Sequence, residues 1–328
     1  MDSVTQVVFG ATVAAVCVPK EQRRRAALIG AALGTLPDLD VLIDYGNAVA
    51  NFTLHRGFSH SLFVLVPFSV ALWCILKYFY QPVREKPKVW FWAIMLPLVT
   101  HPLLDAQNAY GTQLFWPLDV TPTMWSTVFI IDPLYTLPLL VATLTVLITP
   151  TAKLTRGIIT TCFALSTLYL GWVWFAKYQL TQNVLQYTAV SEDTRVFSTP
   201  TPFNSFMWRI VLLEGDDYQE GFYHFLFPEK IEFTAHSIDR SLFKEAAHIA
   251  AIDQLQWFAD GYNRIDIIDD SLVVSDLRMG FEDNYAFRHM VAKRENGVWQ
   301  EISSEQLPSE LNSDDLVDFW AAFTNSKK

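Results

Sequence analysis

The sequence predicts an α-helical membrane bundle of about six hydrophobic segments, followed by a small soluble α+β domain. Three observations carry this. Hydrophobic residues make up 51% of the 328 and charged residues only 18%, against about 25% charged in ordinary soluble domains. The charge is unevenly spread: residues 1–180 hold 12 Lys+Arg and 9 Asp+Glu, a net of +3, while 181–328 hold 12 and 25, a net of −13. Long apolar runs recur through the first part and stop near residue 180, as expected where segments must cross about 30 Å of hydrocarbon. The domains are therefore drawn at 1–180, helical and in the membrane, and 181–328, soluble and acidic. An acidic domain excludes nucleic acid as a partner, because a phosphate backbone needs a basic face.

Taken in order, residues 4–18 and 26–36 are short apolar runs rich in Gly and Ala, separated by Lys20-Glu21-Gln22-Arg23-Arg24-Arg25. Small residues suit close helix packing, so these runs predict a tight helical hairpin. It ends at Pro37-Asp38-Leu39-Asp40. Residues 62–80, 89–104, 127–148 and 157–178 are the further spans, with interface-type aromatics such as Trp116, Trp125 and Trp174 near their ends. Cys17, Cys74 and Cys162 lie inside apolar runs and read as small core hydrophobes. Met1-Asp2-Ser3 lacks the basic start of a cleavable signal.

Ten of the 12 basic residues in this part fall in three short turns: Lys20 to Arg25, Lys77 to Lys88, and Lys153 with Arg156. Alternating spans put all three turns on one side, which the positive-inside rule makes cytoplasmic. The same alternation sends Asp38/Asp40, His55/His60, His101/Asp105, Asp132 and residues 181–328 to the other side. The expected location is a bacterial inner membrane, multi-pass, with a periplasmic C-terminal domain.

Beyond residue 180 the pattern changes to alternating, β-branched and aromatic residues. Strands are expected over 184–190, 206–213, 221–227, 265–274, 288–293 and 298–302. Asn296-Gly297 is a hairpin turn signal. Helices are expected over 242–258 and 314–323, and Thr199-Pro200-Thr201-Pro202 reads as a rigid extended entry.

Candidate chemistry gathers at the ends of the apolar runs. His55-Arg56-Gly57-Phe58-Ser59-His60-Ser61 packs two imidazoles and a guanidinium directly before a span. Gly57 suggests a turn from which both rings converge, with His60 starting the helix. His101 and Asp105, four apart, share a helix face, although Pro102 disfavours helix at His101. Polar groups at the ends of hydrophobic segments are costly unless they meet each other, a metal or a substrate. Imidazole with carboxylate suits a divalent ion, Zn²⁺ first and Mn²⁺ or Fe²⁺ as alternatives. His55, His60, His101 and Asp38 are the expected ligands, with Asp40 or Asp105 as proton acceptor and Arg56 as phosphate clamp. Each has a plain alternative. Asp38 and Asp40 can be a solvated helix end, the histidines interface residues, His101–Asp105 an interhelical lock, Arg56 a headgroup anchor and Asp132 a helix cap beside Pro133.

Met1-Asp2-Ser3-Val4-Thr5-Gln6 with Gly10, Leu36-Pro37-Asp38-Leu39-Asp40, the His55–Ser61 motif, and Thr100-His101-Pro102-Leu103-Leu104-Asp105 with Tyr110-Gly111-Thr112 together resemble the bacterial membrane-bound metal-dependent hydrolase family. The resemblance covers roughly residues 1–135. It implies an inner-membrane protein with a metal site, hydrolase chemistry and a lipid-like substrate. Many members carry His where this chain has Gln6, and Gln is a poor metal ligand. The competing expectations are a non-enzymatic membrane protein whose soluble domain binds a protein partner, and a proton-coupled transporter. The transporter reading is weakened by acids that sit at span ends and not at the midplane.

Overall fold

The computed structural model describes residues 1–187, 191, 193–226, 230–281 and 284–309. In chain order the helices are α1 (Ser3–Cys17), α2 (Arg23–Thr35), α3 (Ala48–Leu54), α4 (Leu62–Phe79), α5 (Gln81–Glu85), α6 (Pro87–Asp105), α7 (Pro133–Ile148), α8 (Thr155–Tyr187), α9 (Arg240–Glu245) and α10 (Ala250–Phe258). The strands are β1 (Arg195–Pro200), β2 (Met207–Glu214), β3 (Asp217–His224), β4 (Phe233–Ser237), β5 (Asn263–Ile268), β6 (Ser271–Asp276), β7 (Gly280–Phe281), β8 (Asn284–Tyr285), β9 (Arg288–Glu295) and β10 (Val298–Leu307). The chain divides into two compact units. One holds Met1–Ile43, Arg56–Phe175 and Pro202–Asn204; the other holds Asp44–His55, Ala176–Thr201 and the described residues from Ser205 onward.

The first unit is helical. α4 and most of α8 are long and apolar enough to cross a membrane, and only 11% of α4 is buried within the protein. α1 and α7 are apolar but shorter, 15 and 16 residues. Side chains start these helices. Asp2 accepts from the Thr5 N–H at 3.1 Å, Ser61 from Phe63 at 3.1 Å, and Asp132 from Leu134 at 3.0 Å with Pro133 at the first helical position. Each satisfies a backbone donor that a helix start otherwise strands.

The hairpin of α1 and α2 crosses on bare backbone. A Cβ on Gly10 would stand 2.3 Å from the Gly30 oxygen, and one on Gly34 would stand 2.7 Å from the Gln6 oxygen. Small Ala11, Ala15 and Ala27 extend the contact toward α7. The basic turns gather at one end of this unit. Arg23 donates to the Pro150 carbonyl at 3.2 Å, Arg24 to Leu147, and Trp90 to the Gln22 side chain at 2.8 Å. α6 runs through both Pro97 and Pro102, so its last turn stays helical as far as Asp105.

The second unit is β-rich. Two antiparallel four-stranded sheets, in orders β1-β2-β3-β4 and β10-β9-β6-β5, are accompanied by a separate short pair β7-β8. β2 is almost wholly buried, including Arg209, whose charge pairs with Glu220. The Asn296-Gly297 turn links β9 to β10 with both residues at positive φ, 52° and 80°. Four expectations are corrected. Residues 184–187 continue α8 and form no strand; 188–190 lie outside the described residues. The expected strand 265–274 is two strands, because Asp269 and Asp270 turn at φ 46° and 55°. The expected helix 242–258 breaks after Glu245 and resumes at Ala250. Residues 44–55 belong with the second unit, since Phe52 packs on Phe258 at 4.8 Å and Phe287 at 4.6 Å. The expected helix 314–323, and Phe227 at the end of the expected strand 221–227, lie outside the described residues.

His289 on β9 is 1% exposed beside Phe52, and burial pushes its pKa down to about 4. The folded protein keeps this ring neutral, while the unfolded chain takes up a proton near pH 6.5. Stability is therefore unaffected above pH 6.5 and falls as pH drops from 6.5 toward 4, by about 3 kcal/mol in all. Thermal unfolding of the detergent-solubilised protein from pH 7.5 to 4.5 measures this. His289→Phe is expected to flatten the slope, and an unchanged slope rejects the assignment.

Candidate metal centre

Three segments of the first unit bring four side chains to one point. Asp38 comes from a 3₁₀ turn, Pro37–Leu42, that ends α2. His60 closes a second 3₁₀ turn, Phe58–His60, just before α4. His101 and Asp105 sit one turn apart on α6. Asp38, His60, His101 and Asp105 each offer one ligand atom, and these atoms lie within 4.8 Å of one another.

The two Nε2 atoms are 3.1 Å apart. Asp38 Oδ1 is 3.4 Å from each, and Asp105 Oδ2 is 3.2 Å from His60 and 3.4 Å from His101. Ligands about 2.0–2.1 Å from one tetrahedral ion stand about 3.3–3.4 Å from each other. These five separations, 3.1–3.4 Å, lie close to that spacing, and the Asp38–Asp105 pair is within 4.8 Å, so the residues present fit a divalent ion. His60, His101 and Asp105 are fully buried, and the Asp38 side chain keeps 18% of its surface. Asp38 is thus the one ligand of the four that reaches outward.

Each imidazole is held from behind. His101 Nδ1 donates to the Gly34 carbonyl at 2.7 Å, which leaves Nε2 as the acceptor facing the cluster. His60 Nδ1 lies 2.9 Å from Ser59 Oγ and 3.6 Å from Asp40 Oδ2. Asp105 Oδ1 accepts from Gln6 Nε2 at 2.9 Å and from the Met1 nitrogen, so Oδ2 is the oxygen presented to the cluster. Burial opposes ionisation of Asp38, but the imidazoles of His101 and His60 beside it outweigh this and hold its carboxyl well below the usual range. Burial likewise opposes a charged His60, yet Asp105 and Asp38 outweigh it and raise its pKa. Two carboxylates thus favour the protonated form of this imidazole, and a bound metal would displace that proton.

Arg56 adopts φ 60°, a left-handed conformation that is strained for a residue with a side chain. Its N–H donates to Asp40 Oδ2 at 2.8 Å, and its carbonyl accepts from the Gln113 N–H at 3.0 Å. Its Nε is 3.4 Å from Asp105 Oδ2, and its guanidinium lies 5.0 Å over the Tyr110 ring. Asp40 Oδ2 also takes the Ser59 hydroxyl at 2.6 Å. Asp40 therefore stands on the Nδ1 side of the His60 ring, away from where the four ligand atoms converge.

Of the residues singled out in the sequence, Asp38, His60, His101 and Asp105 come together, with Arg56 and Asp40 bordering them. His55 lies outside this group and forms the C-cap of α3 in the second unit. Asp132 caps α7 and accepts the Tyr169 hydroxyl at 2.6 Å. Gly34 and Asn108 were not legible as site residues. Gly34 contributes a main-chain carbonyl, which leaves no side-chain signal. Asn108 was signalled only by lying three residues after Asp105, in a loop closed by Tyr110-Gly111.

A Bacillus subtilis (strain 168) protein, uncharacterized protein YfhP, is 34% identical over 124 residues, 36% of this chain and 37% of that relative. The chain thus covers little more than a third of that relative's length. No solved structure matches. The model of the YdjM inner membrane protein family matches residues 1–180, the stretch that contains all four converging side chains. The chain accordingly belongs to the YdjM inner membrane protein family, the membrane-bound metal-dependent hydrolases.

Proposed function

We propose that this protein is a membrane-embedded, metal-dependent hydrolase that cleaves a phosphoester or other ester of a lipid-like substrate at the outer face of the inner membrane. The observation that carries the reading is the pair of buried Nε2 atoms 3.1 Å apart between two carboxylates. Asp38, His60, His101 and Asp105 would hold the ion. When bound, such an ion is a Lewis acid that lowers the pKa of water from about 15.7 to about 7.

The protein's own groups do the rest. Gly34 and Ser59 lock the two rings, and Asp40 positions His60 through Ser59 and the Arg56 backbone. Arg56 offers a planar guanidinium to an anionic group. Four protein ligands close a tetrahedral Zn²⁺ site. An ion that takes more than four ligands, such as Mn²⁺ or Fe²⁺, would leave a place for substrate beside these four residues. The turn that presents Asp38 also exposes Leu39, Val41 and Leu42, the last two at 69% and 80%, which supports an apolar substrate entering from the bilayer. The clustered basic turns at the far end support an outward-facing centre through the positive-inside rule.

Purified protein in detergent, assayed on lipid phosphoesters and carboxylic esters, tests this. Turnover is expected to vanish with a chelator and return with added Mn²⁺ or Zn²⁺. Turnover that ignores the chelator would sink the metal role. Metal that stays bound and raises the unfolding temperature without any turnover would favour a structural clamp, the second reading that a four-ligand, mostly buried set supports.

A further inference from the structure

We infer that Asn108 holds an oxygen of a phosphoryl group, and so selects a phosphoester over a carboxylic ester at this centre. The inference rests on the hydrolase reading above and narrows its substrate class. Asn108 is completely buried. Its Oδ1 accepts from the Tyr110 N–H at 2.9 Å and from Arg56 Nη1 at 3.4 Å. A backbone N–H only donates, so the amide orientation is determined, with oxygen toward Tyr110 and nitrogen away.

Nδ2 then carries two N–H donors and meets no acceptor among the described residues. Buried amide donors are rarely left this way. Arg56, 7% exposed, adds a second such donor: its Nε makes no hydrogen bond among the described residues. That Nε stands 3.4 Å from Asp105 Oδ2, one of the four converging atoms. The metal cluster, the guanidinium and the Asn108 amide therefore form one row. A phosphoryl group has separate oxygens for an ion and for donors beside it, and a charge that the guanidinium complements. A carboxylic ester offers one carbonyl oxygen and no charge, and would leave the far donors unmet.

The test uses the full chain in detergent, with metal content measured on every sample and inorganic phosphate as the titrated probe. Asn108→Asp keeps the shape and the acceptor for Tyr110 and Arg56, and replaces only the donor nitrogen with an oxygen. Asn108→Leu removes the donors without adding charge. Both are expected to weaken phosphate binding about tenfold or more, a step of about 1.4 kcal/mol per tenfold, with metal content unchanged. Phosphatidate in mixed micelles, run alongside, separates the sources: tighter binding than inorganic phosphate marks a lipid phosphoester, and equal binding a soluble one. Metal-loaded native protein that binds phosphate no better than both variants overturns this inference alone. Native protein that carries no metal overturns the hydrolase reading, and this one with it.

Discussion

Protein purified with His60→Ala or His101→Ala is expected to carry less than about a tenth of the metal found in the native chain, because a site with a lost imidazole keeps too few donors to offset ligand desolvation. The two rings are not interchangeable decorations. Each supplies one of a pair of Nε2 atoms 3.1 Å apart, and each is aimed by a contact on its other nitrogen, Gly34 for His101 and Ser59 for His60. The remaining Asp38 and Asp105 would then face each other with less positive charge between them. His55→Ala is the control. It lies five residues from His60 in the same motif yet outside the converging group, so its variant is expected to keep full metal content. Elemental analysis after size-exclusion chromatography measures all three. Native-level metal in His60→Ala, or equal loss in His55→Ala, would reject the centre as described.

Gly30→Ala is expected to lower stability by about 3 kcal/mol, the upper range for forcing extra volume into packed structure. Its Cβ would meet the Gly10 oxygen at 2.2 Å and Ala14 Cβ at 2.5 Å. Both belong to α1, and backbone cannot rotate away as a flexible side chain could. The helices must separate, and the effect travels. α1 carries Gln6, which holds Asp105, and α2 carries Gly34, whose carbonyl aims His101. A wider crossing therefore loosens the metal site as well, so metal affinity is expected to fall with stability. Gly171→Ala on α8, where a Cβ would meet nothing within 4 Å, is expected to be neutral or slightly stabilising. Thermal unfolding in detergent compares the two. Equal unfolding temperatures for Gly30→Ala and Gly171→Ala would show that the close crossing carries no energy.

Much of the centre could be read from residue order because its information is local. His101 and Asp105 are one helical turn apart, and any helix through them puts both on one face. The 3₁₀ turns that bear Asp38 and His60 follow Pro37 and Gly57, residues that end or bend a helix. The hairpin at Asn296-Gly297 was legible for the same reason, since only a few residues tolerate positive φ. The errors came where a local preference met a longer-range one. Val184 and its neighbours favour strands, yet α8 extends through Tyr187 because an established helix adds each further residue at little cost.

By itself the sequence determined that the chain has an apolar, slightly basic helical part and an acidic α+β part, and that its acids and imidazoles stand at helix ends. Those properties follow from composition and from spacing along a few residues. Only the tertiary structure decided which of these groups meet. It brought Asp38, His60 and the α6 pair together across more than sixty residues of chain, and left His55 in the second unit, where Phe52 finds its aromatic partners. Periodicity says which way a side chain points on its own element, but not which other element comes to face it. Here the helix crossing at Gly10 and Gly30 sets α1 against α2, and with it the positions of Gln6 and the Gly34 carbonyl beside Asp105 and His101.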